Sequence, residues 1–327
     1  MSSSLVGATA PVSGRVRAYF APVNRATATP SIFDPAHSAA FPIDTPPAPW
    51  LDLGWIAGFA RKAETKVSPL RSGAPAIVQT QVRTEVEATV ALEFESWGKL
   101  QLALASGSDQ MNLLAPASGA AANGSGGVAA PAIPLAAGST ATTLNVGAAS
   151  ANFTPGQLVA VDLDYTGQTG YVGSGVSAAY VTAASAVNSD INYIRRVTLN
   201  VGRIVAIAPG TLTLGAPLLA GAPAAGMQLC TLTGFCDREG GRFFQEWSAL
   251  FVFDGEQGDR VLYHYPRLQA MQGSAEIASP LAPAGLAAPL ERMRLAAAFR
   301  ALPVTDANDG ETVLCFRSYL PASLREI

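Results

Sequence analysis

Residues 81–107 read QVRTEVEATVALEFESWGKLQLALASG, and their periodicity changes part-way. The even positions Val82, Thr84, Val86, Ala88, Val90, Leu92 and Phe94 are largely apolar. The odd positions Arg83, Glu85, Glu87, Thr89, Ala91, Glu93 and Glu95 are charged or small. A period of two sustained this far predicts a β-strand, longer than the usual five or six residues. After it, Ser96 suits an N-cap, Trp97, Leu100 and Leu104 share a helical face, and Gly107 suits the C-terminal stop. So short a helix depends on packing its apolar side against a sheet. The expected core of this region is Val86, Val90, Leu92 and Phe94 against Trp97, Leu100 and Leu104.

On either side of this stretch the composition shifts. Residues 1–50 carry prolines at 11, 22, 30, 35, 42, 46, 47 and 49, which predicts an extended arm docked on something else. DLGWIAGFAR (52–61) reads as a first strand and KAETKVSPLRSGAPA (62–76) as a loop or hairpin tip. Between 110 and 236 only six residues are charged, namely Asp162, Asp164, Asp190, Arg195, Arg196 and Arg203. Short β-type runs such as ATTLNV, GQLVAVDLDY, RRVTLNVGRIVAIA and GTLTLGAPL fill it, bounded by Gly, Pro or Asn. This predicts a small all-β domain over 115–230, inserted into a host made of 51–114 and 231–327. Strand candidates resume with GRFFQEWSALFVF, DRVLYHYP and ETVLCFRSYL. LERMRLAAAFRAL (290–302) fits either a strand or a helix.

The totals exclude several classes. With 327 residues the chain is long enough for two cores. Charged residues are 14% against about 25% in an ordinary soluble domain, which suggests a surface largely covered by other copies of the chain. No uninterrupted apolar run of about 20 residues exists, so membrane insertion is not expected. The first residues have no basic cluster followed by an apolar run, so they do not read as a secretory signal. A net charge of −3 gives no basic field for nucleic acid. Three cysteines without a CxxC pair argue against a disulfide framework.

Candidate chemistry is thin. His37 and His264 are the two histidines, and neither sits in a triad or metal-ligand spacing. The Asp162/Asp164 pair matches a short metal-binding pattern that also occurs by chance, and GYVGSG (170–175) lacks the frame of a phosphate loop. Acids at 237, 239, 246, 254, 256 and 259 fall mostly in turns, where carboxylates are simply soluble. No catalytic residues, cofactor or metal are therefore expected.

DLGWIAGFARKAETKVSPLRSGAP, then RTEVEATVALEFESWGKLQLALASG, and later EWSALFVFDGEQGDRVLYHYPRLQ, resemble the major tail tube proteins of long-tailed bacteriophages. The likeness covers roughly 50–114 and 231–320, and the proline-rich start and the insert depart from it. It implies a mainly β fold, a β-sandwich or barrel with a short flanking helix. It also implies rings, commonly hexameric, that stack into a tube for DNA in the virion tail after assembly in the host cytoplasm. Implied partners are other copies of the chain, tape-measure and terminator proteins, and DNA passing without sequence-specific binding. On that reading Arg83, Glu85, Glu87, Glu93 and Glu95 face the lumen as a mainly acidic wall. Such a wall repels phosphates, whereas a basic one holds them by counterion release. Alternatives are an injection-system tube, a capsid decoration protein, or a carbohydrate-binding β-protein that stacks sugars on Trp247, Tyr263 and Tyr265.

Overall fold

The structure, a computed structural model, describes residues 13–120, 129–162, 171–173, 190–240, 244–256, 258–271, 275–277 and 294–322. The chain is mainly β and forms two compact units. One takes its described residues from 1–21, 30–106 and 246–327, the other from 22–29 and 107–245.

The first unit opens with β1 (Ser13–Pro22), β2 (Leu51–Ser72), β3 (Ile77–Phe94) and α1 (Lys99–Ser106). The second unit contains β4 (Asp109–Leu114), β5 (Ile133–Pro134), β6 (Thr143–Gly147), β7 (Leu158–Asp162) and β8 (Tyr171–Gly173). It continues with β9 (Val201–Ala208), β10 (Gly210–Leu214) and β11 (Gln228–Arg238). The chain then returns to the first unit as β12 (Trp247–Gly255), β13 (Arg260–Ala270), β14 (Ala275–Ile277) and β15 (Arg294–Ala301). The last strands are β16 (Val304–Thr305), β17 (Thr312–Val313) and β18 (Phe316–Leu320).

In the first unit the strands run in the order β14-β15-β3-β2-β1-β12-β13-β18, and β13 also pairs with β15. That extra pairing closes β15, β3, β2, β1, β12 and β13 into a six-stranded barrel, which removes most of the sheet's open edges. Phe20 of β1 lies at the centre of its filling, with ring centroids 5.5 Å from Phe299, 5.9 Å from Phe251 and 6.4 Å from Trp247. A bulge in β2, between Ala57 and Ala60, has Gly58 at φ +58°, where a Cβ would be strained. Next to it Phe59 packs against Phe251, Phe253 and Tyr263.

Residues 13–22, expected within a docked arm, are instead a barrel strand with Ala18, Tyr19, Phe20 and Ala21 wholly buried. From Ala18 onward both faces of β1 are covered, so this half lacks the exposed polar side that marks a surface strand. Its second face belongs to an outer core in which Tyr19, Leu250, Val252 and Leu262 meet Phe33 and Trp50 from the proline-rich segment. The host also begins one strand earlier than DLGWIAGFAR, and β2 runs through the expected loop to Ser72.

The second unit is a sheet in the order β6-β10-β9-β7-β11-β4-β8, with β5 also on β11. Its boundaries lie outside 115–230 because β4 and β11, the strands leading in and out, pair from Asp109↔Arg238 to Leu232↔Leu114. Leu144, Val159, Ile204, Leu212 and Leu229 fill its larger core. RRVTLN, expected as strand, holds a helical turn over Ile194–Thr198 that lets Arg196 bridge Asp162 and Asp190.

Candidate functional site

The long strand β3 organises the region that sequence singled out. Between Ala88 and Phe94 it pairs with β2 on one side, and from Thr89 onward with β15 on the other. Its even residues Ala88, Val90, Leu92 and Phe94 are buried, with Leu295, Ala297 and Phe299 on the same face of β15. Leu100 and Leu104 of α1 are buried as well. Gly107, at φ +66°, follows the helix.

Two members of the expected core lie elsewhere. Val86 is 45% exposed, because pairing with β15 ends at Thr89 and no barrel interior remains for Val86 to enter. Trp97 is 52% exposed, because α1 starts at Lys99 and leaves the tryptophan on the incoming loop. Ser96 does not cap the helix either: its hydroxyl donates to the Leu53 carbonyl and accepts from the Gln101 side-chain amide.

Among the described residues, from Lys62 and Ala88 outward β2 and β3 pair only with each other. The ribbon reaches the turn at 73–76, about 35–40 Å away at the usual strand rise. Its side chains are exposed on both faces, including Val67, Leu70, Ile77, Val78, Val82 and Val86. Isolated two-stranded ribbons are marginal in water, and exposed apolar rows on them mark interaction surfaces.

The odd face of β3 carries the five residues expected along a lumen. Arg83, Glu85 and Glu95 are exposed, and Glu87 and Glu93 are half-buried. Glu85 accepts from Lys66 at 2.6 Å, and Glu87 pairs with Arg300 at 2.9 Å. Among the described residues Glu93 and Glu95 form no ion pair. Between them the surface is flat: Ala91 stands beside Ala60 and Ala298, and Glu93 beside Ala57 and Ala296. On β2 and β1, Trp55 and Arg17 extend the same outer face, and Arg17 is held by Asp52 and Asp44. The face is thus alternately charged with a small-residue floor, not a wall of one sign. Lys66 was hidden because KAETKV read as loop.

The remaining candidates have structural work. Asp162 is fully buried against the Arg196 guanidinium, so it serves as an anchor in the sheet and not as an open ligand. Asp164 and GYVGSG lie wholly or partly outside the described residues. His264 is buried, its Nε2 accepts the Phe33 amide proton at 3.2 Å, and Nδ1 donates to the Ala249 carbonyl at 3.0 Å. Burial lowers its pKa to about 4, so it is neutral. His37 is exposed beside Asp34. Burial pushes the Cys230 thiol up to about 12, which makes it unreactive. No group of three His, Cys, Asp or Glu that could hold a metal occurs among the described residues, and none of their helices is long and apolar enough to cross a membrane. Trp247 and Tyr265 are buried in the barrel, which removes two of the three stacking surfaces a sugar-binding reading needs. No protein-family model matches this chain, and no curated protein is similar to it in sequence.

Proposed function

We propose that this chain is a structural subunit that assembles with copies of itself, in the manner of a phage major tail tube protein, into stacked rings around a channel for DNA. The observation that carries the reading is the β2–β3 ribbon. It projects from a well-packed barrel with its apolar residues in water, an arrangement that is stable only when neighbours cover it. The resemblance of 50–114 and 231–320 to tail tube proteins supplies the hexameric ring and the virion setting. On this reading the barrel half of the odd face of β3, Ala91, Glu93 and Glu95, lines the bore, and Arg83, Glu85 and Glu87 lie on the ribbon that neighbours cover. Its alanine floor offers nothing for a phosphate backbone to grip. Lys66 and Arg300 balance Glu85 and Glu87 on the ribbon, and Glu93 and Glu95 tip the barrel part of the face toward repulsion. Imaging purified protein by negative-stain microscopy tests the reading: stacked rings or tubes are expected, and dispersed single particles at all concentrations would contradict it.

A further inference from the structure

Residues 31–41, the first half of the proline-rich segment, lie on the outer face of the barrel with few contacts. Of residues 31–40 only Phe33 is buried, and the short helical turn Pro35–Ala40 buries none of its side chains. Phe33 packs with Tyr19, Leu250, Val252 and Leu262 and meets the Phe41 ring edge-on at 5.4 Å. Two backbone amides tie this stretch to barrel side chains that are themselves fastened to barrel carbonyls. The Ser31 amide donates to Ser248 Oγ at 2.9 Å, and that hydroxyl donates to the Pro266 carbonyl at 2.8 Å. The Phe33 amide donates to His264 Nε2, and Nδ1 donates to the Ala249 carbonyl. Residues 43–50 are held by other means. The Tyr19 hydroxyl donates to the Ile43 carbonyl at 2.9 Å, Asp44 pairs with Arg17 at 2.8 Å, and Pro46 and Trp50 are buried.

We infer that residues 31–41 form an acid-released strap: protonating His264 lets this stretch lift from Leu250, Val252 and Leu262 while 43–50 and the barrel stay in place. An imidazolium carries a hydrogen on both nitrogens, so Nε2 would turn a donor toward the Phe33 donor. The site offers the new charge no partner. The ring lies edge-on to Phe33 and Trp50 and is stacked on Phe316. Tyr263 and Tyr265 on β13 and Arg317 on β18 point to the opposite face by strand alternation, and Cys315 meets Tyr265 there. Glu246 and Asp254, flanking β12, pair with Arg267 and Arg260, and on β1 Arg17 is bound to Asp44 and Asp52. The Asp34 carboxylate is taken by the Ala36 amide and by His37 of its own turn. Burial is the main influence on the ring and holds its pKa to about 4. The strap is therefore fully latched above pH 6.5 and loosens as pH falls toward 4.

Hydrogen–deuterium exchange of the wild-type chain reads the strap directly, by mass spectrometry at pH 7, 5 and 4 with correction for the intrinsic pH dependence of exchange. Protection across 31–41 should fall about a hundredfold between pH 7 and pH 4, the change set by the lowered proton affinity of the docked ring. It should also lie well below the protection of β12 and β13 at pH 4, because the strap opens without them. A glutamine at 264 can accept and donate like the neutral ring but takes up no proton, so His264→Gln should keep 31–41 equally protected across the range. Asp44→Asn should retain the wild-type pH step, since the Arg17 pair holds the other half of the segment. Strap amides that open only together with the barrel strands in wild type overturn the inference. So does a pH step that persists in His264→Gln or vanishes in Asp44→Asn.

Discussion

His264 fixes the proline-rich segment to the barrel through a single tautomer. The Phe33 amide can only donate, so Nε2 is unprotonated and Nδ1 carries the hydrogen toward Ala249. Protonation would break the Phe33 bond and bury a charge. The folded pKa, about 4, lies below the ordinary value of about 6.5, so the unfolded chain binds the proton first. Its stabilising effect is complete above pH 6.5 and is lost as pH falls toward 4, on the order of 3 kcal/mol in all. In denaturant melts the stability lost by wild type across that range should exceed the loss in His264→Gln by about this amount. Phe20 and Val86 form a second contrast. Phe20→Ala removes a ring at the barrel's centre and should cost about 3–5 kcal/mol, whereas Val86→Ala, on the exposed ribbon, should stay within about 0.5 kcal/mol. Midpoints of chemical unfolding measure both, and a large loss at Val86 would mean that the ribbon packs on its own barrel.

At the scale of elements, the ribbon and the barrel make separable demands on β2 and β3. The stretches 51–61 and 88–94 complete the barrel, and the residues between them build the projecting hairpin. Replacing 66–83 with a short turn should leave the thermal transition within a few degrees of wild type while abolishing assembly in sedimentation. A collapse of the fold would show that the ribbon is part of the core. Sequence periodicity reached the strand here and missed its fate. Alternation from Val82 to Phe94 is continuous, yet only the half beside β15 has an interior to enter, and a pattern along one strand carries no information about where its neighbour stops. A similar limit hid β1. GRVRAYFAP alternates across Val16, Ala18 and Phe20, but the surrounding prolines drew it into an arm, and Tyr19 is buried only because Phe33 and Trp50 fold back over it. The acids of β3 were visible individually, while Lys66 and Arg300 became their partners through pairings set by two other strands.

For the whole molecule, a closed barrel, a second β unit with few charges and an exposed ribbon are the features on which the proposed self-assembly rests. The mainly β character was legible from turn chemistry and short apolar runs, because those are local properties. Unit boundaries were not, since β4 and β11 pair across the insertion and carry the second sheet beyond the change in composition. If the odd face of β3 lines a bore, reversing its free acids should make the assembly retain DNA. Particles of Glu93→Lys/Glu95→Lys should bind duplex with an affinity that falls steeply with salt, and wild-type particles should not. The most direct measurement is a cryo-electron microscopy reconstruction of the assembled protein. It should show residues 62–88 covered by neighbouring copies and Ala91, Glu93 and Ala296 facing the central channel. A ribbon left in solvent, or a bore lined by other strands, would contradict the account.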